Sequence, residues 1–171
     1  MPQEHSATET PLVARPLEKD AVERAYPLVR NLAPSITLER WVRFARLHID
    51  GHSAQWPRGL VTIENAAGYI LGLFGFEVRN DLVESRTLRI TNIIIPNIPG
   101  RDWVWESAFA AIEGLAKENG CRAIRAEVGD ELDPSDTERG WVVAALGTSG
   151  YALDGVGAFK RLGKSGAIPS A

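Results

Sequence analysis

The stretch that most constrains this chain runs from residue 86 to 128, where strand, loop, helix and strand follow one another. RTLRITNIIIPN (86–97) carries Leu88, Ile90, Ile93, Ile94 and Ile95, an apolar β-branched run closed by Pro96. β-Branched side chains suit a pleated, half-buried surface, and proline cannot donate to a ladder. NIPGRD (97–102) has the composition of a loop. WVWESAFAAIEGLAKEN (103–119) has helical spacing, with Val104, Ala108, Ala111 and Leu115 on one face and Phe109, Ile112 and Ala116 beside it. Gly120 ends that helix, and CRAIRAEV (121–128) returns as a strand. Two strands joined by a crossover helix form a parallel βαβ unit, which is right-handed in nearly all folds. Ligands collect at the carboxyl ends of such strands, so function is expected near residues 96–105.

The 171 residues suit one domain, expected over 12–162 with loose tails at 1–11 and 163–171. A formal net charge of −3 with no Lys/Arg cluster argues against nucleic acid or an anionic membrane surface as partner. The single cysteine, Cys121, excludes an internal disulfide framework and fits a reducing, cytoplasmic setting. No apolar run approaches the ~20 residues of a membrane-spanning helix, and residues 1–11 lack the apolar core of a secretory signal.

Along the chain, LVARPL (12–17) reads as a short strand. EKDAVERAYPLVRNLA (18–33) is a helix that Pro27 kinks or splits. Thr37 caps a second helix, TLERWVRFARLHID, with Leu38, Trp41, Val42, Ala45 and Ile49 inward. LVTIEN (60–65) and YILGLFGFEV (69–78) form a hairpin, in which Gly72 and Gly75 indicate a bulge or a close backbone approach. RNDLVES (79–85) connects to the central strand. GDELDPSD (129–136) is an acidic loop, TERGWVVAALG (137–147) a short helix ending at Gly147, and residues 150–162 a hairpin about Asp154-Gly155. The expected order is β α α β β β α β α β β: an α/β fold with a mixed, mostly antiparallel sheet of about seven strands and helices on both faces.

That order resembles the GNAT superfamily of acyl-CoA-dependent N-acyltransferases. Four local patterns carry the resemblance: AAGYILG (66–72) after the first hairpin, ITNIIIPN (90–97) as the fourth strand, Ala116 followed by Gly120-Cys121 at the helix exit, and Gly150-Tyr151 at the sixth strand. The resemblance implies acetyl-CoA as cofactor, a small-molecule or peptide amine as acceptor, and possible homodimers. It implies that the pantetheine arm lies against the strand at Ile93 and Ile95, as an added strand does. The pyrophosphate is then expected at the loop and helix start of Gly100, Arg101, Asp102, Trp103, Val104 and Trp105. Glu64, Glu77 and Glu84 are the candidate carboxylates for taking the amine proton. Each also reads as a solvated charge on a strand face.

The phosphate loop departs from the family pattern Arg/Gln-x-x-Gly-x-Gly/Ala, in which glycine lets the backbone approach the phosphates. Counting back from Gly120 puts the glycine positions at Trp103 and Trp105; moving one residue, so that Arg101 leads, puts Val104 and Glu106 there. The two tryptophans either cover the core or a dimer contact, or stand in the cofactor cleft. Asp102 reads as the N-cap of the helix. Leu146 stands where families of this type place a tyrosine acid, and Tyr151 is the nearest phenol. The alternative function is a GNAT-like module that has lost the cofactor and serves binding or dimer formation. No metal is expected, since His48 and His52 straddle a helix end and His5 is far away in sequence.

Overall fold

The computed structural model describes residues 11–127, 137–153 and 157–163, with the backbone alone for 137–139. The acidic loop 129–136 and the turn at Asp154-Gly155 lie outside the described residues, as do the expected tails apart from residues 11 and 163. The elements are β1 (Val13–Pro16), α1 (Tyr26–Leu32), α2 (Leu38–Asp50), β2 (Arg58–Glu64), β3 (Ile70–Asp81), β4 (Ser85–Ile94), α3 (Arg101–Glu118), β5 (Ala123–Glu127), α4 (Thr137–Thr148), β6 (Ala152–Leu153) and β7 (Gly157–Arg161). The expected order of elements is observed. The strands form one seven-stranded sheet in the order β1-β2-β3-β4-β5-β7-β6, antiparallel throughout except for the parallel β4–β5 pair. No described helix is long and apolar enough to cross a membrane.

The two faces of the sheet follow from the period of two along each strand. Val61 and Ile63 of β2, Phe74, Phe76 and Val78 of β3, Leu88 and Ile90 of β4, and Ile124 and Ala126 of β5 share one buried cluster with α3 and Leu146 of α4. Leu60, Leu73 and Ile94 face the other way, under Val29 of α1 and Trp41 and Ala45 of α2. Trp41 is held there by donating its Nε1–H to the Val22 carbonyl at 2.7 Å. The approach is tight where α3 crosses β3. A Cβ on Gly72 would stand 3.1 Å from Val104 and 3.3 Å from Ile95, so even a methyl group there would make both side chains give way.

Several local expectations are corrected. The 18–33 stretch is split at Pro27, as expected, though into two 3₁₀ turns (19–21 and 23–25) followed by α1, with Pro27 in the first turn of α1, where its missing N–H costs nothing. β3 and β4 run on into residues expected to be loop, because Asp81 Oδ1 accepts from the Val83 and Glu84 amides at 2.8 Å and closes a tight turn. Leu38 is exposed rather than inward. α4 passes Gly147 and ends at Thr148, with Gly150 taking the left-handed position at φ 83°.

Both α3 and α4 end in the same way. The amide of Cys121 donates to Ala116 O at 2.8 Å and that of Tyr151 to Leu146 O at 3.1 Å, and each turn drops its side chain into the core. Burial pushes the Cys121 thiol up, the Arg86 guanidinium offsetting only part of this. The folded state therefore keeps its proton to higher pH than the unfolded chain. That stability is intact below the ordinary thiol pKa of about 8.5 and declines as pH rises above it. Urea unfolding from pH 8 upward is expected to show this decline, and Cys121→Ala to flatten it; an unchanged slope in the variant would refute the assignment.

Tyr151 is 5% exposed and its hydroxyl has no hydrogen-bond partner among the described residues. Burial, with Glu113 nearby, raises its pKa. A buried donor without a partner costs about 1–3 kcal/mol, so Tyr151→Phe is expected to stabilise the fold by about 1 kcal/mol and raise Tm by a few degrees. A loss of stability instead would reveal a buried partner for the hydroxyl.

Candidate active site

The geometry of the site begins at a bulge in β4. Leu73 pairs with Ile94 and Gly75 with Thr91, so two residues, Asn92 and Ile93, stand opposite Phe74 alone. Asn92 takes a left-handed backbone at φ 51°, a conformation asparagine tolerates better than most residues. The bulge needs Gly75, whose Cβ would come within 2.7 Å of Thr91 Oγ1. The β4–β5 ladder runs from Thr87↔Ala123 to Ile90↔Ala126 and stops there. Beyond that row, residues 91–94 have no described strand on their β5 side.

A cavity of about 730 Å³ opens beside this splay. Ala33, Pro34 and Ile36 of the α1–α2 connection form its apolar wall; Thr91 and Ile93 of the bulge, with Glu77, Arg89 and Glu127, form its sheet side. The charges here belong to a row across the helix-free part of one sheet face. Arg58 stands opposite Glu77, Glu77 opposite Arg89, and Arg89 opposite Arg125. Glu77 pairs with Arg79 at 2.9 Å, and Arg89 holds Glu127 through Nε at 2.6 Å and through Nη2. His48, its Nδ1 3.1 Å from the Phe44 carbonyl, completes the wall with Arg58.

The loop after β4 leads to the start of α3. Gly100, at φ 80°, is the residue before the helix, and a Cβ there would meet nothing within 4 Å. The Arg101 amide donates to Ile98 O at 3.1 Å, and those of Trp103 and Val104 to Gly100 O at 3.1 and 3.4 Å. Asp102 is thus inside the first helical turn and exposed, which corrects its expected place as N-cap. Trp103 is half-buried. Trp105, 3% exposed, turns into the core, 5.1 Å from Phe109 and 5.2 Å from Trp141 between ring centroids. The Arg101 guanidinium covers Trp141 at 3.5 Å. Trp105 therefore fills the seam between α3 and α4.

No family model matches the chain, and no curated protein matches it in sequence. Solved structures do match. An aminoglycoside N-acetyltransferase in complex with CoA aligns at TM-score 0.61 and 19% identity, over 81% of this chain and 88% of that one. A spermidine N-acetyltransferase chimera from Vibrio cholerae and a second enzyme aligns at 0.65 and 14%, over 88% and 95%. Glucosamine-6-phosphate N-acetyltransferase from Arabidopsis thaliana aligns at 0.52 and 16%, over 71% and 84%. The chain has the GNAT fold.

Within the GNAT fold, the expected site residues fall in different places. Glu77 lines the cavity. Glu64 is not among the residues lining it; it accepts from Thr62 at 2.8 Å and lies 3.8 Å from Arg24 at the far edge of the sheet. Glu84, in the β3–β4 turn and likewise outside that lining, pairs with Arg161 at 2.7 Å. Ile93 lines the cavity, while Ile95 and Val104 are buried against Gly72. Trp41, Phe44 and Trp56 are absent from the cavity wall: Trp41 is core, Phe44 packs on His48 and Trp56 is largely exposed. Sequence reasoning missed Arg58, Arg89, Glu127 and the 33–36 segment. Their signal was a polar residue at alternate strand positions, visible only once the register is known. Among the described residues no cluster offers a metal site.

Whether these residues fit CoA is decided at two ends. The splay fits the arm, since an extended chain can lie along residues 91–94 as an extra strand does. At the phosphate end the α3 terminus opens at Gly100 with Arg101 in its first turn, but the exposed Asp102 beside it offsets that charge and the Arg101 guanidinium lies over Trp141. It lacks the family's close backbone approach, because residues 103 and 105 carry indoles and Pro96 and Pro99 have no N–H.

Proposed function

We propose that the chain is an N-acyltransferase that takes an acyl group from acetyl-CoA or a related thioester and passes it to a primary amine. One observation carries this reading: the bulge at Asn92 ends the β4–β5 ladder at Ile90 and opens the sheet onto a cavity that contains Glu77. Ile93 and Ile95 would hold the pantetheine arm through their backbone. Gly100 and Arg101 would face the phosphates, with Trp103 at the rim. When bound, the cofactor supplies the activated acyl carbonyl.

The chain's own part is to bind the acceptor and take its proton. An amine with a lysine-like pKa of about 10.4 arrives protonated and cannot attack until it is neutral. Glu77, on the cavity wall, is the carboxylate placed to accept that proton, directly or through water. Glu127, also on the cavity wall, has one oxygen held by Arg89, and would help to orient the ammonium. The apolar 33–36 segment excludes water from the other side. The reading is tested by incubating the protein with acetyl-CoA and a panel of amines and following release of free CoA thiol; amine-dependent release is expected.

The second reading, a GNAT-fold binding module without cofactor, is favoured by the indoles at 103 and 105 and by the exposed Asp102 carboxylate where anionic phosphates would lie. It predicts that the same protein gives no thiol release and does not bind acetyl-CoA.

A further inference from the structure

The loop into α3 offers an anion little to hold it. The amides of Arg101 and Trp103, which a helix start ordinarily leaves open, are already donated, to Ile98 O and Gly100 O, each at 3.1 Å. Ahead of them the Ile98 amide donates to Pro96 O at 2.9 Å, and Pro96 and Pro99 have no N–H. The amide between Arg101 and Trp103 belongs to Asp102, whose own exposed carboxylate repels an anion there. The Arg101 guanidinium lies 3.5 Å over the Trp141 ring, toward α4. Indoles at 103 and 105 stand where a close backbone approach needs glycine.

The sheet end of the same site is built in the opposite sense. Past the Ile90↔Ala126 row, residues 91–94 have no described strand on their β5 side, and an extended arm can pair with that backbone. Ile93 carries the same stretch into the cavity wall. The two halves of a nucleotide-linked thioester therefore meet unlike surfaces: a strand edge that accepts the amide-bearing arm, and a loop closed to the phosphates. We propose that the acyl donor is recognised through its acyl-pantetheine arm alone. The phosphates pass Gly100 and Arg101 without being gripped, and the nucleotide stays in solvent. The ligand chemistry is a pantetheine thioester, borne either by CoA or by the phosphopantetheine of a carrier protein. This rests on the acyltransferase reading and narrows it to the part of the donor that is bound.

The test is calorimetric titration of the full chain with acetyl-CoA, S-acetylpantetheine, adenosine 3′,5′-bisphosphate and an acetylated acyl carrier protein. A charge-assisted hydrogen bond from an amide to a phosphate is worth about tenfold in Kd, so a nucleotide held by two of them would make acetyl-CoA about a hundredfold tighter than S-acetylpantetheine. The expected result is a difference of no more than about threefold between those two thioesters, with no binding of the bisphosphate at millimolar concentration. The acetyl-CoA Kd is also expected not to weaken as salt is raised, since no phosphate ion pair is there to be screened. A carrier protein that binds more tightly than S-acetylpantetheine identifies the carrier as the source of the arm, and one that does not leaves CoA as the source; the arm is the recognised part in both. Acetyl-CoA tighter by about tenfold or more, or saturable binding of the bisphosphate, overturns the proposal and leaves the acyltransferase reading standing. Binding of none of the thioesters overturns both.

Discussion

Glu77→Gln is expected to slow acyl transfer by about 10²- to 10⁴-fold, the usual contribution of a positioned general base. The substitution keeps the shape of the side chain and removes only its ability to take a proton. It also breaks the pair with Arg79, but both side chains are substantially exposed, so the fold should lose less than about 1 kcal/mol. A large fall in rate with an almost unchanged urea midpoint is therefore the signature. Glu64→Gln and Glu84→Gln serve as controls, since neither side chain lines the cavity; each should leave the rate within a few-fold of the parent. Should Glu64→Gln or Glu84→Gln prove as damaging as Glu77→Gln, the proton acceptor has been misplaced.

Phe74→Ala is the substitution expected to cost the most stability. Phe74 is 1% exposed at the centre of the larger core, between β3 and the helices of that face. Removing a buried phenyl ring forfeits its transfer free energy and leaves a cavity, together about 3–5 kcal/mol. Domains of ordinary size have about 5–15 kcal/mol in total, so the variant should be marginal at 37 °C. It also faces the two bulge residues, Asn92 and Ile93, so packing beneath the splay is lost with it. Denaturant melts should show a much lower midpoint with a similar slope. A loss under about 1 kcal/mol would mean that this core rearranges freely and does not hold the bulge.

The fold was legible because its cues are local and repeated. Alternation in 86–95, helical spacing in 103–119 and Gly120 at the helix exit are each set by neighbours in sequence. The bulge was half legible: Gly72 and Gly75 indicated a close approach, but only the register reveals that Gly75 makes room for Thr91 and Gly72 for α3. The start of α3 differs from expectation because Gly100, in the left-handed region, is the N-cap and the helix begins at Arg101, one residue before Asp102, an effect of backbone conformation and not of residue preference. The cavity was the least legible part. Arg58, Glu77, Arg89 and Glu127 come from four strands, and strand register alone brings them together.

The central claim, that this GNAT fold still binds an acyl-CoA thioester despite the indoles at its phosphate loop, is tested most directly by titrating acetyl-CoA. Calorimetry should give saturable binding, and thermal unfolding should shift upward in step, by about 2.7 kcal/mol of added stability at a hundred times Kd. Trp103→Gly should tighten that binding, since Trp103 is half-buried at the helix start and outside the core cluster that holds Trp105. No heat and no shift at millimolar acetyl-CoA, in the parent and in Trp103→Gly alike, would contradict the account and leave the binding-module reading in its place.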